Sequence, residues 1–376
     1  MARKRVRSGG GTGDERISAT ADAHEAGASE QAEALLASAG GRPRLSDVAR
    51  LAGVSLGSAS RALSNPDSVR EQTLRRVREA ADRLGYVPDG AARALVMRRS
   101  MTIGAVLPTI SNPIFSSFVH ALQKALSAEG YYLLVAAHEY DLREEESVVE
   151  RLVQRGIDGL VLIGTDHPPA VFRRIEQARM PYICAWSVDE AHRYPCVGIS
   201  NRRAMHRVVR HLLELGHRRF AVVSGHTEHN ERARARIEGI LDALAMEDIQ
   251  LDDDHILCGA FSIEAGREGL RRALALDPRP TAVICSTDLL AAGVLAEARA
   301  QGVDVPGSLS VTGFDDIEFS SLLSPALTSL HVRTDEIGRL TGERILDAIG
   351  KAPAREPLEI ETRLVVREST GPAPRS

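Results

Sequence analysis

Residues 44–61 read RLSDVARLAGVSLGSASR, a pattern that predicts two short helices joined by a glycine turn. Apolar residues at helical spacing form one face of the first helix, and Gly53 then supplies the positive φ that a tight turn needs. Ser55 is placed to cap the second helix, in which Ala59 and Ala62 are small enough to pack closely on the first. This arrangement predicts a helix-turn-helix unit, whose second helix enters the major groove of DNA.

Charge is distributed unevenly along the 376 residues. The formal net charge is −4, yet residues 43–100 carry 11 Lys/Arg against 6 Asp/Glu, and residues 1–42 carry six of each. A basic segment on an acidic body is the pattern expected of a DNA-binding module. The hydrophobic share of 43% with only 4% aromatic residues favours α/β layers packed by Leu, Val and Ala over an aromatic-rich β-sandwich.

The spacing of the cysteines and the length of the apolar runs disfavour disulfide-bonded, zinc-binding, membrane-spanning and secreted proteins. The cysteines form no C-x-x-C pair, so the sequence predicts reduced thiols and neither a disulfide framework nor a zinc site. No apolar run approaches the ~20 residues of a membrane span, and residues 1–42 lack the apolar centre of a secretory signal. We therefore expect a cytoplasmic protein with no metal and no cofactor.

The chain before residue 101 divides into three segments. Residues 1–42 are rich in Ala, Gly, Ser and charge and are predicted to be a disordered tail, whose basic start could touch DNA or simply be solvated. Residues 43–88 form the predicted helix-turn-helix domain. Residues 89–100 are predicted to be a hinge helix or linker, too short to be a stable helix alone.

From residue 101 the pattern becomes strand, loop and helix, repeated many times. The runs TIGAVLP, YYLLVAA, GLVLIG, YICAW, CVGIS, RFAVVSG, AVICS and SLSVTGF are separated by helical stretches, as a parallel sheet covered on both faces requires. Eight such runs exceed one typical domain, so we predict two α/β lobes with a ligand cleft at the carboxyl ends of the strands. The predicted first lobe comprises about 101–200 and 328–352, and the second about 201–327 and 353–370, within an effector-binding and dimerisation domain spanning 101–376.

A series of motifs, spread over most of the chain, occurs in the order found in a known protein family. DVARLAGVS, SRALSNPDSV, RLGYVPDGAARAL, GIDGLVLIG, HLLELGHRRFAVVSG, PTAVICSTDLLAAG, SLSVTGFDD and PALTSLHV follow one another between about residues 45 and 368. The chain resembles the lac repressor family of bacterial transcription regulators, and LPTISNPIF is most similar to gluconate-repressor-like members. The resemblance implies an N-terminal all-α helix-turn-helix domain with a hinge helix, followed by a two-lobed periplasmic-binding-protein-like domain. It also implies a homodimer or dimer of dimers on a near-palindromic operator.

The resemblance assigns DNA contacts residue by residue. Leu56, Gly57 and Arg61 occupy its base-reading positions, and Gly57 departs from the family because many members carry a long polar side chain there. Arg44 stands where a small hydroxyl residue is common and is expected to meet phosphate. Leu95 matches the hinge leucine that acts as a minor-groove wedge, whereas the bare sequence would make it an ordinary packed leucine. The predicted DNA-binding residues are Arg44, Ser55, Leu56, Gly57, Ser58, Arg61, Asn65, Arg70 and Leu95.

The resemblance likewise implies an effector site in the cleft. Asp288 matches an acid that accepts hydrogen bonds from ligand hydroxyls, although it could equally cap the helix that it opens. Arg236 matches a ligand-gripping arginine, with a solvated helix face as the alternative. Phe115 and Phe261 match apolar walls, although buried phenylalanines are usually core. Trp186, the sole tryptophan, is expected to shrink the pocket or to supply a stacking face.

The residues around the predicted cleft suggest the charge of the effector. Several cations with few carboxylates favour an anionic compound, such as a sugar acid or small organic acid, because Arg presents a bidentate fork to carboxylate. The alternative is that these arginines point outward. The residues concerned are His138, His226, His229, Asn230, Arg232 and Arg234.

Two other classes of protein fit the sequence less well. An enzyme is disfavoured because the chain has no phosphate-binding loop, dinucleotide fingerprint, nucleophile elbow or zinc-protease motif. A solute receptor would need an export signal and no DNA-binding head. We therefore predict a DNA-binding transcription regulator, by family default a repressor, in which effector closure of the lobes changes operator affinity in a direction that the sequence leaves open.

Overall fold

The computed structural model describes residues 43–87, 99–350 and 356–375. It divides the chain into two compact units, Met1–Ser100 and Met101–Ser376. The predicted tail and most of the predicted hinge, including Leu95, lie outside the described residues. Within the described ranges, no helix is long and apolar enough to cross a membrane.

The first unit contains the predicted helix pair and a third helix. These helices are α1 (Leu45–Ala52), α2 (Leu56–Ser64) and α3 (Glu71–Leu84). Gly53 adopts φ 60° between α1 and α2, and the Ser55 hydroxyl accepts a hydrogen bond from Ser58 N at 3.1 Å. Both local predictions are therefore confirmed. A 3₁₀ turn (Pro66–Ser68) separates α2 from α3.

Small side chains allow the three helices to share one core. Ala59 and Ala62 of α2 are buried against Val48 of α1 and Val77 of α3. Because alanine presents only a methyl group, α2 can approach its neighbours closely while its opposite face stays accessible.

The second unit contains two lobes, each built on a six-stranded sheet. The first sheet has the order β11-β5-β4-β3-β1-β2 and is parallel throughout. Its strands are β1 (Thr102–Leu107), β2 (Tyr132–Ala137), β3 (Gly159–Ile163), β4 (Tyr182–Ala185), β5 (Cys196–Gly198) and β11 (Leu358–Glu359). The helices that follow or cover these strands are α4 (Ile114–Ala128), α5 (Leu142–Gln154), α6 (Pro169–Ala178) and α11 (Thr334–Ile349).

The second sheet has the order β12-β10-β9-β8-β6-β7, in which only β12 is antiparallel to its neighbour. Its strands are β6 (Phe220–Gly225), β7 (Ile256–Gly259), β8 (Ala282–Cys285), β9 (Ser310–Asp315), β10 (Thr328–His331) and β12 (Arg363–Val365). Its helices are α7 (Asn201–Glu214), α8 (Glu231–Ala245), α9 (Ile263–Leu274) and α10 (Asp288–Ala300). The alternation of parallel strand and helix is the α/β architecture that the sequence predicts.

The chain passes between the lobes three times, which corrects two predicted boundaries. Strand β10 pairs with β9 in the second sheet, so the return to the first lobe follows residue 331 and does not begin at 328. Strand β11 pairs with β5 in the first sheet, so residues 358–359 belong to the first lobe. The second lobe resumes at β12. These short polar strands lack the apolar runs on which the predicted boundaries rested.

Candidate functional site

The exposed face of α2 carries most of the residues predicted to contact DNA. Leu56 is 53% exposed although it is apolar, and Arg61 is exposed with no carboxylate paired to it among the described residues. A Cβ added to Gly57 would meet no atom within 4 Å, so the surface there is open. Ser55 is exposed and Ser58 is half-buried. This helix therefore presents one long cation beside a smooth, short-chained surface.

The remaining predicted contacts flank this helix. Arg44, Asn65 and Arg70 are exposed. The backbone N–H of Arg44 donates to Asp47 Oδ2 at 2.9 Å, which orients the start of α1. In α3, Arg76 donates to Gly53 O at 3.4 Å, a long bond that ties this helix to the turn. The side chains of Arg44 and Arg70 remain free of described ion pairs, as phosphate contacts would require.

A cleft separates the two lobes at the carboxyl ends of their strands. It holds a cavity of about 40 Å³, whose walls come from both lobes. An adjoining cavity of about 350 Å³ shares Ile114 and Asp315 with it. The side chains that give the smaller cavity its chemistry are Asn112, Phe115, Tyr140, Asn230, Arg232, Arg236, Phe261, Thr287 and Asp315.

Arg236 and Asp315 form a buried pair at the floor of the cleft. Arg236 Nε donates to Asn201 Oδ1 at 2.8 Å, its Nη1 donates to Ser286 O, and its Nη2 lies 3.9 Å from Asp315 Oδ1. The guanidinium carbon also lies 3.7 Å from the centroid of the Phe314 ring. Burial lowers the pKa of Arg236 to about 10 and raises the pKa of Asp315 well above its usual value. The structure therefore places Arg236 in the cleft and excludes a merely solvated helix face.

Asp315 is held loosely and in an unusual backbone conformation. It is 5% exposed, and Arg236 is its only described ion-pair partner. No described donor makes a hydrogen bond to its carboxylate. Its φ of 111° is followed by a φ of 55° at Asp316, so two consecutive left-handed residues turn the chain at the end of β9. An under-bonded carboxylate between two cavities is available to accept hydrogen bonds from a ligand.

The structure corrects the predicted role of Asp288. Its side chain is completely buried, and its oxygens accept hydrogen bonds from Ile317 N at 2.9 Å, from Ser320 Oγ at 2.6 Å and from Ser329 Oγ. It lines neither cavity. The helix cap is Thr287, whose hydroxyl accepts from Leu290 N. Asp288 therefore links β10 to the segment that follows β9, and the acid that lines both cavities is Asp315.

Aromatic side chains line the cleft differently from the prediction. Phe115 does line the small cavity, but Trp186 lies behind it in the core, 3% exposed, with ring centroids 5.5 Å apart. Trp186 therefore supplies no stacking face to the cavity. Phe261 lines the cavity and stacks on Tyr140 of the other lobe, with ring centroids 5.4 Å apart and an interplanar angle of 17°.

The predicted cluster of free cations is also corrected. Arg232 donates to Ile163 O at 2.7 Å and lies 3.5 Å from Glu231 Oε1, while Arg234 Nη2 lies 2.6 Å from Asp166 Oδ2. With Arg236 beside Asp315, each arginine therefore has an acidic partner. The histidines do not restore a cationic cluster, because His226 and His229 are exposed and burial lowers the pKa of His138.

Several cleft residues were not identified from the sequence as ligand contacts. Tyr140 follows β2, Asn112 precedes α4, and Asp315 ends β9. All three stand just after a strand or just before a helix, where ligands of open α/β sheets bind, so position relative to the strands could have identified them. The choice between Asp288 and Asp315 could not be made this way, because Asp288 follows β8, Asp315 ends β9, and both therefore lie at the carboxyl end of a strand.

Comparison with known proteins decides the family. Residues 44–89 match the bacterial regulatory proteins of the lacI family, and residues 209–370 match a periplasmic binding protein-like domain. The HTH-type transcriptional repressor CytR of Escherichia coli K12 is 32% identical over 331 residues, which are 88% of this chain and 97% of CytR. The chain belongs to the LacI family.

Two further transcription regulators are similar to this chain. The HTH-type transcriptional regulator GntR of Pseudomonas aeruginosa PAO1 is 34% identical over 332 residues, covering 88% of this chain and 96% of GntR. The structure of the transcriptional regulator CelR in complex with cellobiose superimposes with a TM-score of 0.66 at 29% identity, covering 87% of this chain and all of CelR. The chain is thus a LacI-family transcription regulator with a helix-turn-helix domain and a two-lobed effector domain, and its relatives are regulators and not enzymes.

Proposed function

We propose that this LacI-family protein is a homodimeric repressor that reads its operator with α2. A small carbohydrate-like effector binds in the cleft and either lowers or raises the affinity of the protein for that operator. The observation that carries the proposal is the pairing of an open α2 surface with a two-lobed cleft whose floor is the Arg236–Asp315 pair. Repression is the activity named for the relative CytR.

The surface of α2 supports a specific mode of DNA reading. Arg61 is the long donor of the exposed face, so it is assigned to a guanine edge, for which Arg is the commonest partner. Leu56 offers an apolar contact of the kind that thymine methyl groups make. Because Gly57 has no side chain, the base opposite it is read through backbone proximity or not at all. Arg44, Asn65 and Arg70 are assigned to phosphates.

An exposed apolar edge strand supports the homodimer. Strand β2 lies at the edge of the first sheet, and its Tyr132, Leu134 and Val135 are 70%, 38% and 36% exposed. Exposed apolar side chains along an edge strand are a liability in a monomer, and such a patch is normally covered. A second copy of this chain would cover the patch and bring two α2 helices to one operator, as two-fold half-sites require.

The cleft supports an uncharged, hydroxyl-bearing ring as effector. Asp315 offers an acceptor, the amides of Asn112 and Asn230 line the same cavity, and the rings of Tyr140 and Phe261 offer flat apolar faces. A sugar ring has hydroxyls at its rim and C–H groups on its faces, so it matches both features. CelR, a transcriptional regulator of similar structure, forms a complex with cellobiose, a neutral sugar.

An anionic sugar is the second candidate. The bonds of Arg232 to Ile163 O and of Arg234 to Asp166 cross between the lobes. Parting the lobes would break both bonds and expose two guanidinium groups to the cleft. A sugar acid could then take the place of the protein acceptors.

Two binding experiments test the proposal. Selection from random duplex DNA with the full chain is expected to recover two similar half-sites related by two-fold symmetry. Fluorescence of Trp186, the sole tryptophan and a neighbour of the cleft residue Phe115, is then followed during titration with neutral sugars and the matching sugar acids.

The outcomes separate the parts of the proposal. A saturable response to a neutral sugar, with little response to its acid, supports the favoured effector class, whereas the reverse supports the second. Recovery of no sequence preference would contradict the assignment of α2, and recovery of single half-sites would contradict the homodimer.

A further inference from the structure

The first turn of α8 belongs to the second lobe but makes its polar contacts with the first. Glu231 Oε1 accepts hydrogen bonds from Thr165 N at 2.9 Å and from Ser187 Oγ at 2.7 Å. Arg232 Nη1 donates to Ile163 O at 2.7 Å. Two consecutive side chains thus hold the carboxyl ends of β3 and β4 across the cleft.

A third residue on the same turn adds an ion pair. Arg234 Nη2 contacts Asp166 Oδ2 at 2.6 Å, while its Nη1 donates to Thr227 O of its own lobe at 2.7 Å. The second bond fixes the guanidinium in the direction of the first lobe. The pair is partly exposed, 41% for Arg234 and 33% for Asp166, so its contribution is modest by itself.

Glu231 and Arg232 are better shielded from water than Arg234 and Asp166. Their side chains are 22% and 12% exposed. Burial by itself raises the pKa of Glu231, but Arg232, the Ser187 hydroxyl and Thr165 N–H outweigh it, so the pKa is lowered and the carboxylate is ionised at neutral pH. Hydrogen bonds to ionised groups are roughly twice as strong as neutral ones.

The backbone opposite these side chains has the shape that they need. Gly164 adopts φ 91°, and a Cβ at this position would lie 1.9 Å from Arg232 Nη1 and 2.5 Å from Glu231 Oε1. Only a residue without a side chain lets both groups approach. Arg232 lines the same small cavity as the stacked Tyr140 and Phe261 rings, which close the aromatic end of the cleft.

We propose that Glu231, Arg232 and Arg234 form an interlobe latch, which stabilises the closed cleft through protein contacts and must release before an effector can enter between Tyr140 and Phe261. The cavity beside those rings measures about 40 Å³, far below the several hundred Å³ of typical ligand sites. The effector part of this inference rests on the proposed function, and the latch itself does not. In this scheme the effector opens the aromatic end of the cleft, which reverses the order predicted from the sequence, where the effector closes it.

The consequence is a regulated entry step. An effector that needs the released state binds with an apparent affinity reduced by the fraction of molecules in that state. Latch residues therefore set effector sensitivity by fixing the fraction of molecules whose cleft is released.

A distance measurement on the full chain tests the latch without DNA or effector. Cys258 on β7 is exposed, whereas Cys184, Cys196 and Cys285 are buried, so a nitroxide label at Cys258 and another at Gln177→Cys on α6 report the lobe separation. Labelled protein is diluted into unlabelled protein so that only distances within one chain are seen. A narrow distance distribution is expected for this otherwise unchanged chain.

Charge reversal and its rescue make the test specific. Arg234→Asp places two carboxylates together and is expected to raise the population at longer distances about tenfold, whereas Arg234→Asp with Asp166→Arg is expected to restore the narrow distribution. Glu231→Ala removes the acceptor of Thr165 and Ser187 and is expected to act like Arg234→Asp. Arg151→Ala is the matched control, because Arg151 pairs with Glu144 on the same helix of the first lobe.

A broad distribution in the unchanged chain, an unaltered distribution in Arg234→Asp, or a failure of the double reversal to restore it would each overturn the latch. The operator selection described above can fail while these distances behave as expected, and the reverse, so the two proposals are tested separately.

Discussion

At the scale of single residues, Asp288 and Asp315 are buried carboxylates of the second lobe with different surroundings. Asp288 is saturated by three protein donors, whereas Asp315 has one loose partner, Arg236, and borders both cavities. A carboxylate that is already fully bonded gains little from a ligand, while an under-bonded one gains a full hydrogen bond. We therefore assign the structural role to Asp288 and the ligand role to Asp315.

Replacing each acid by its amide separates these roles. Asp315→Asn is expected to weaken binding of the active sugar, followed by Trp186 fluorescence, about tenfold or more, because removing one partner of a buried hydrogen bond costs about 1 to 3 kcal/mol. Asp288→Asn is the control and is expected to keep the response. Equal responses in both variants would contradict the assignment of Asp315.

Asp288 should also make stability depend on pH. Burial is the largest cause that raises its folded pKa to about 6, above its usual value of 3.8. Between these values the folded state binds more protons than the unfolded state, so the free energy of unfolding falls as pH rises. The free energy of unfolding of Asp288→Asn, relative to that of the unchanged protein, is expected to rise by about 2 to 3 kcal/mol between pH 4 and pH 7. Urea denaturation at both pH values measures this, and a pH-independent difference would mean an ordinary pKa.

Arg61 is the residue of α2 that we assign to a guanine edge. Arg61→Ala is expected to weaken operator binding by about 1 to 3 kcal/mol and to relax the preference at one base position. Arg75→Ala is a suitable control, because Arg75 is an exposed arginine of α3 paired with Glu79. Competition titrations with single-base operator variants provide the readout. Uniform weakening across all variants would move Arg61 to the phosphate contacts.

At the scale of elements, helices α9 and α10 pack through glycines. A Cβ on Gly266 would lie 2.1 Å from Leu290 O, a backbone atom that cannot move aside. Gly266→Ala is therefore expected to destabilise the protein by about 1 to 3 kcal/mol through overpacking. Gly57→Ala meets open space and should stabilise α2 by about 0.5 to 1 kcal/mol. Denaturation followed by circular dichroism compares the two, and similar effects would contradict the close packing.

The strands show how far the sequence predicts the elements. All eight predicted apolar runs form strands, and seven of them lie in a buried interior that only such residues can fill, while the edge strand β2 is largely exposed. The four unpredicted strands, β7, β10, β11 and β12, are short or rich in polar residues. Strand β10 is buried through Thr328 and Ser329, whose hydroxyls bond to neighbouring segments. Polar burial of this kind depends on tertiary partners and leaves no hydrophobic pattern.

At the scale of the whole molecule, the sequence predicts the division into a head and a two-lobed body but not the pairing across the cleft. Arg232 and Arg234 have the composition of an anion site, yet their partners Ile163 and Asp166 lie more than 60 residues earlier in the chain. No local pattern indicates such a contact. Long-range geometry of this kind forms the latch, and it also places Asp315, and not Asp288, at the cleft.

A compound bound in the cleft is expected to change the affinity of α2 for operator DNA. The most direct measurement titrates the selected operator with the full chain, with and without a saturating amount of the sugar that changes Trp186 fluorescence. A change in operator affinity of about 5- to 150-fold, equivalent to ~1 to 3 kcal/mol of coupling, is the predicted result. Identical operator affinity with and without the sugar, although the sugar binds, would contradict the account.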